Sequence, residues 1–271
     1  MTSMHEQSSS AARKAATAAR MYDYYLGGIH NFPADRAAAD AVVKMFPFVR
    51  DAARANRGFV VNAVRYLAGE GVRQFLDVGA GIPTVDNVHS VARKIQPEAR
   101  VVYADIDPVA VAEGQEILAD DGLAAAVRGD LQAPRALLEH PEVRRILDFG
   151  EPIGLLLAAV LHFIPDHRVG EEATAELVAA LPSGSYLVVS HTAKETFSAI
   201  DQSTITENVY QRRTATPGTT RTRAEVERLF AGVDIQEPGV VWAQEWSPGP
   251  ASGQPQPAGP GGIWAGVGKK P

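Results

Sequence analysis

Three short stretches end apolar runs on carboxylates. In "QFLDVGAGIPT" the run closes on Asp77 and breaks at once into Gly79-Ala80-Gly81, glycines that let backbone approach a ligand which side chains would exclude. In "VVYADIDP" the next run ends in Asp105 and Asp107, with Asp105 standing 24 residues beyond Gly81 (105 − 81). That is close to the offset of about 20 residues at which a second-strand acid accepts ribose hydroxyls. In "VRGDLQAP" a third run is followed by Asp130, placed to accept from an adenine amino group, and Leu131, able to pack on the ring. One such acid is ordinary turn chemistry. Three in succession, the first with a glycine loop, describe a nucleoside site at the carboxyl edge of a parallel sheet.

Charge narrows the ligand. A dinucleotide pyrophosphate calls for G-x-G-x-x-G, but the sixth position is Thr84, and Asp77 would repel a phosphate. A nicotinamide-dependent oxidoreductase is therefore disfavoured. A carboxylate at the strand end suits a ligand that carries positive charge, and S-adenosylmethionine carries both an ammonium and a sulfonium. Asp105 is the preferred ribose ligand; Asp107 is the alternative, or else the cap of the helix that Pro108 opens.

These residues have to be positioned by a sheet. From residue 72 onward, continuous apolar runs ("RQFLDVGAG", "ARVVYADIDP", "LAAAVRGDL", "PIGLLLAAVL", "SGSYLVVSHT") alternate with helical patterns such as "PVAVAEGQEILADD" and "EEATAELVAAL". That alternation predicts a doubly wound parallel α/β sheet covered on both faces. "GVVWAQEW" and "IWAGVG", with no helix between them, predict an antiparallel hairpin on the sheet edge, and the loop "SPGPASGQPQPAGPGG" is too polar to pack. Two helices come before the sheet: "PADRAAADAVVKMF", entered through Pro33, and "DAARANRGFVVNAVRYLAGEG". Residues 1–19 read as a mobile tail running into a helix.

Composition excludes several classes. The chain has 271 residues and no cysteine, which removes disulfides, thiolate metal sites and cysteine nucleophiles and fits a reducing cytoplasm. A formal charge of −6 offers no general attraction to nucleic acid or anionic lipid. No stretch approaches the roughly 20 apolar residues that span a bilayer.

The blocks "ARMYDYYLGGIHNFPADRAAAD", "ANRGFVVNAVRYLAGEGVRQFLDVGAGIPTVDNVH", "VVYADIDPVAVA" and "AVLHFIPD" resemble the class I S-adenosylmethionine-dependent methyltransferases. Within that class they resemble an actinobacterial family of S-adenosyl methyltransferases. Pro83 departs from the broader class, which has a third glycine there. The resemblance implies a Rossmann-like methyltransferase fold, with a mostly parallel seven-stranded sheet, an antiparallel C-terminal edge hairpin and an N-terminal helical lid. Residues 20–71 would be the lid and 72–271 the core of a single domain. It implies S-adenosylmethionine as cofactor, S-adenosylhomocysteine as product and a small-molecule acceptor. It also suggests what "RMYDYYLGGIHNF" does: the tyrosines, Tyr24 among them, face the sulfonium, Gly27 and Gly28 allow close approach, and Arg20 pairs with the methionine carboxylate.

Methyl transfer from a sulfonium needs positioning more than a base. The candidate polar group is His162 in "AVLHFIPD", a general base or else a histidine bonded to backbone at a strand end. Pro165 keeps His162 and Asp166 from sharing a helix and speaks against a metal site. His191 is a weaker acceptor-site candidate, and Tyr210, Arg212 and Arg213 are further possible contacts. Without an evident base, a non-catalytic module that binds S-adenosylmethionine for regulation or partner binding is the alternative to an enzyme.

Overall fold

The computed structural model describes residues 16–84, 86–196, 218–248 and 262–271. Tyr210, Arg212 and Arg213 lie outside the described residues, as does most of the expected tail. Five strands are parallel: β1 (Gln74–Val78), β2 (Arg100–Asp105), β3 (Ala124–Arg128), β4 (Ile153–Ala158) and β5 (Tyr186–Thr192). Their apolar runs are continuous because both faces are covered. Phe75, Leu156 and Val188 pack into one layer, while Leu76, Leu155, Leu157 and Val189 pack into the other.

The first layer is dominated by α3 (Val49–Gly69), which buries Phe59, Val60, Ala63, Val64 and Leu67, with α4 (Val88–Ala92) beside it. Helix α5 (Pro108–Ile117) runs against β2 and β3. The opposite layer is built from α6 (Pro134–Leu138), α7 (Pro141–Ile146), α8 (His167–Ala180) and α9 (Arg223–Glu227).

The strand order is β3-β2-β1-β4-β5-β8-β6, so the winding reverses between β1 and β4, the crevice where open α/β sheets bind ligands. β8 (Ile263–Lys269) runs antiparallel to β5 along its whole length, from Tyr186↔Lys269 to Thr192↔Ile263. On its far side it carries two short strands, β6 (Asp234–Ile235) and β7 (Val241–Trp242). The antiparallel pairing matches the expected hairpin. Among the described residues the sheet has eight strands instead of seven because β6, two exposed residues long, is too short to leave a periodic signal. β8 lies inside the sheet, which explains why it is apolar on both faces.

Ahead of the sheet, α1 (Ala18–Tyr25) and α2 (Pro33–Met45) pack on the start of α3 through Met21, Tyr25, Ala38, Ala39, Val42, Phe46 and Ala53. Asp35, buried in the first turn of α2, accepts from the Phe32 and Thr17 amides at 2.8 and 3.1 Å and from Arg20 Nε at 2.9 Å. Helix-start amides that have no intrahelical partner are satisfied in this way. No helix among the described residues is long and apolar enough to cross a membrane.

Candidate functional site

The turn after β1 is held in place by β2. The Gly79 and Ala80 amides donate to the Ala104 carbonyl at 2.8 and 3.2 Å, and the Gly81 amide donates to Asp105 Oδ2 at 2.7 Å. Gly79 and Gly81 have φ of 72° and 64°, the left-handed region that glycine enters without strain. The two glycines answer different neighbours. A Cβ on Gly79 would meet the Val160 side chain at 2.1 Å, so the segment that follows β4 requires this glycine. A Cβ on Gly81 would find only Ala19, at 3.6 Å, and otherwise open space.

The four strand-end acids have distinct surroundings. Burial pushes the Asp77 carboxyl up to about 7; the Asp105 charge adds to this and the Arg57 charge opposes it. Asp105 is raised by burial, although the Gly81 and Asp107 amides donate to its two oxygens. Asp107 caps α5 by accepting from the Val109 amide at 2.9 Å, and its other oxygen takes Arg20 Nη1 at 3.5 Å. Asp130 accepts from the Gln132 amide two residues on, and Leu131 beside it is buried.

All four acids line one cavity of about 590 Å³, together with Gly79, Gly81, Leu131 and His162. That volume falls within the usual range for small-molecule sites, about 300–1,000 Å³. The cavity runs along the carboxyl edge from Asp130 after β3 to Thr192 on β5 and Ile263 on β8, and α1 closes it with Ala18, Met21, Tyr22 and Tyr25.

Three expected ligands are not in that lining. Arg20 and Tyr24 lie one helical turn apart, off the face of α1 that meets the cavity. Arg20 is fully buried against Asp35 and Asp107. The Tyr24 hydroxyl donates to Asp40, and its ring lies under the Arg50 guanidinium. Gly28 makes room for Asp23: a Cβ there would sit 2.0 Å from Asp23 Oδ1. Asp23 in turn accepts from the His30 amide, Asn31 Nδ2 and Thr84 Oγ1, and so ties the N-terminal loop to the glycine loop.

Sequence reasoning missed Arg57 and Asn56. Among the described lining residues Arg57 is the one lysine or arginine, its Nε is buried without a hydrogen-bond partner, and its guanidinium lies 5.6 Å from the Tyr22 ring centre. Asn56 donates to the Tyr22 hydroxyl and accepts from Ser190 Oγ at 2.5 Å. Ser190 Oγ also receives the amide of Ala159, a residue with φ of 54° at the end of β4. The available signal was two polar residues on the helical face that carries Ala53, Val60 and Val64.

His162 follows β4 in a short 3₁₀ turn, Leu161–Phe163. Its Nδ1 is buried without a hydrogen-bond partner among the described residues, and its ring stands edge-on to that of His191, 5.7 Å between centres. Burial and the Arg221 charge bring its pKa down to about 3. Arg221, fully buried, donates to His191 Nε2 at 2.5 Å and to the carbonyls of Leu161 and His167. His191 is thereby a neutral ring set behind His162 and does not line the cavity.

Residues 4–271 match a family model described as S-adenosyl methyltransferase. A candidate methyltransferase from Thermobifida fusca YX is similar at 38% identity, with 95% of this chain and 96% of that one covered and a TM-score of 0.86. A DUF574 family protein from Streptomyces avermitilis is similar at 37% identity, with 96% and 99% covered and a TM-score of 0.84. No curated protein matches the chain.

Proposed function

We infer that this chain, which belongs to the S-adenosyl methyltransferase family, transfers the methyl group of S-adenosylmethionine to a small-molecule acceptor held in the same cavity. The observation that carries the reading is the charge pattern of the lining, where Asp77, Asp105, Asp107 and Asp130 gather at successive strand ends with Arg57, the one lysine or arginine among the described lining residues, opposite them. A nucleoside joined to a zwitterionic amino acid fits that donor set. S-adenosylmethionine, when bound, supplies a methyl group already activated on a sulfonium.

This chain's residues provide binding, orientation and exclusion of water. Asp105 accepts the ribose hydroxyls with the lone pairs that the Gly81 and Asp107 amides leave open. Asp130 takes the adenine amino group while Leu131 packs on the ring. Asp77 receives the ammonium, which favours its charged form. Arg57 takes the methionine carboxylate, the role that sequence reading gave to Arg20, because a carboxylate entering an acid-lined cavity needs a cation, and Arg57 is the one lysine or arginine among the described lining residues. Arg20 serves by holding Asp107 and the start of α2. Gly81, with open space where a Cβ would stand, lets the cofactor approach the backbone. The absence of cysteine supports a cytoplasmic setting.

Calorimetric titration with S-adenosylmethionine, S-adenosylhomocysteine and NAD tests the cofactor assignment, which requires the first two to bind and the third not to. Incubation of the protein and labelled cofactor with metabolite extract tests transfer; label that never leaves the cofactor would contradict it.

A further inference from the structure

Between the glycine loop and the far end of the cavity the lining changes character. Past Val160 and His162 it is formed by Met21, Val42 and Val49 of the N-terminal helices, by Phe46 and Phe48 of the link between α2 and α3, and by Ile263 of β8. Among the described residues this end carries no lysine, arginine, aspartate or glutamate, and its polar groups are the Thr192, Thr219 and Thr220 side chains and His162, with Tyr22, Tyr25 and Asn56 of the helices beside them. We propose that the acceptor is an uncharged, largely apolar molecule whose nucleophile is a hydroxyl group, presented to the His162 imidazole. The proposal rests on the cofactor reading above.

Three classes of acceptor are separated by the lining. A carboxylate acceptor would need a cation to offset its desolvation, and Arg57 is set with Asp77 at the cofactor end. A basic amine enters as an ammonium with no lone pair to attack the methyl group. It would need a carboxylate partner or a strong base, and the described residues of this end supply neither, since burial and Arg221 leave His162 a weak base. A hydroxyl enters neutral, keeps its lone pairs, and offers a hydrogen bond to a ring whose nitrogens have no partner among the described residues. With Nδ1 shut in, Nε2 is the nitrogen left for that bond.

The hydroxyl oxygen forms the O–CH3 bond as the C–S bond breaks, the bonding pair stays on sulfur as a neutral thioether, and the hydroxyl proton passes to the imidazole. An alkylated oxygen that still holds its proton is a strong acid, so a weakly basic ring suffices at that stage. His191, bonded to Arg221 and to the Thr192 carbonyl, is the wall that keeps the ring in place.

The test uses the full chain loaded with S-adenosylhomocysteine and four probes that share one ring system: naphthol, naphthalene, naphthoate and naphthylmethylamine. Each is titrated against the wild type and His162→Phe. Naphthol is expected to bind the wild type about tenfold or more tightly than either charged probe, and His162→Phe to bring it down to naphthalene's level. A charged probe that binds as well as naphthol, a naphthol affinity untouched by His162→Phe, or binding of none of the four would overturn the proposal. If His162→Phe fails to fold, the wild-type ranking still decides. Failure of S-adenosylhomocysteine to bind would count against the cofactor reading instead, and the same titrations on the unloaded protein would then judge the acceptor class.

Discussion

Asp77 is a carboxylate that the empty protein holds at a cost. Its pKa of about 7 against an ordinary 3.8 means that the folded chain keeps a proton which the unfolded chain has already released. Stability therefore falls as pH rises from about 4 to about 7 and is level above that, for a total loss of about 4 kcal/mol at roughly 1.4 kcal/mol per unit. Asp77→Asn cannot titrate and avoids the loss. Without ligand it is expected to match the wild type near pH 4 and to melt roughly 10 °C higher near pH 8, given about 2–4 °C per kcal/mol for a chain of this size. Cofactor binding should reverse the ranking, because an ammonium beside Asp77 favours the charged form and lowers its pKa. Near pH 7, binding then releases about half a proton, which calorimetry in buffers of differing ionisation enthalpy measures directly, and affinity rises with pH through that range. Proton uptake or no proton exchange on binding, or an unliganded Asp77→Asn that melts below the wild type near pH 8, would refute this account of the site.

Arg57→Met should weaken S-adenosylhomocysteine by about tenfold to a hundredfold, the value of a charge-assisted hydrogen bond, and leave methylthioadenosine, which lacks the amino acid, unaffected; equal losses for both ligands would remove the carboxylate role. Gly79→Ala drives a methyl group into Val160 and is expected to cost about 2–4 kcal/mol of stability, seen as a lower melting temperature. Gly81→Ala should cost only about 1–2 kcal/mol, from its positive φ, yet impair cofactor binding more than its stability loss explains; unchanged affinity would show that the cofactor stays clear of this turn. Arg20→Met strands Asp35 in the interior and should lower stability by about 3–5 kcal/mol in a denaturant titration; a shift near zero would mean that the pair is not buried in solution.

Features carried by a single apolar run or a single turn could be read from the sequence. The five parallel strands, the Pro33 start of α2 and the glycine loop with its acids are of this kind, since both faces of each strand are covered and each carboxylate sits where its strand stops. What the sequence hid depends on neighbours brought together only by the fold. Arg20 meets Asp107 across 87 residues, and that contact takes it away from the cavity. The Gly79 backbone makes room for Val160, which follows β4. Arg57 sits inside a helical pattern that reads as core, and its place beside Asp77 follows from how α3 crosses the sheet. The state of His162 is set by its burial and by Arg221, which arrives from a later segment. In "RMYDYYLGGIHNF" the glycines and Asp23 build a turn, and only one face of the helix, Met21, Tyr22 and Tyr25, reaches the cavity.

The insertion of β8 between β5 and the two short strands bears on synthesis. Strands β2 to β5 each join a strand made before them, but β5 gains its second partner, β8, only after residue 269 has been made. Until then it presents an open edge of seven residues, Tyr186 to Thr192, to the cell. A nascent chain that stalls in the preceding glycine- and proline-rich stretch is held in that state, with the far wall of the cavity absent, because Ile263 belongs to the missing strand. The sheet and the pocket are thus completed in one late event, and variants in 263–269 should fail through chaperone retention and aggregation before any defect in chemistry can be seen.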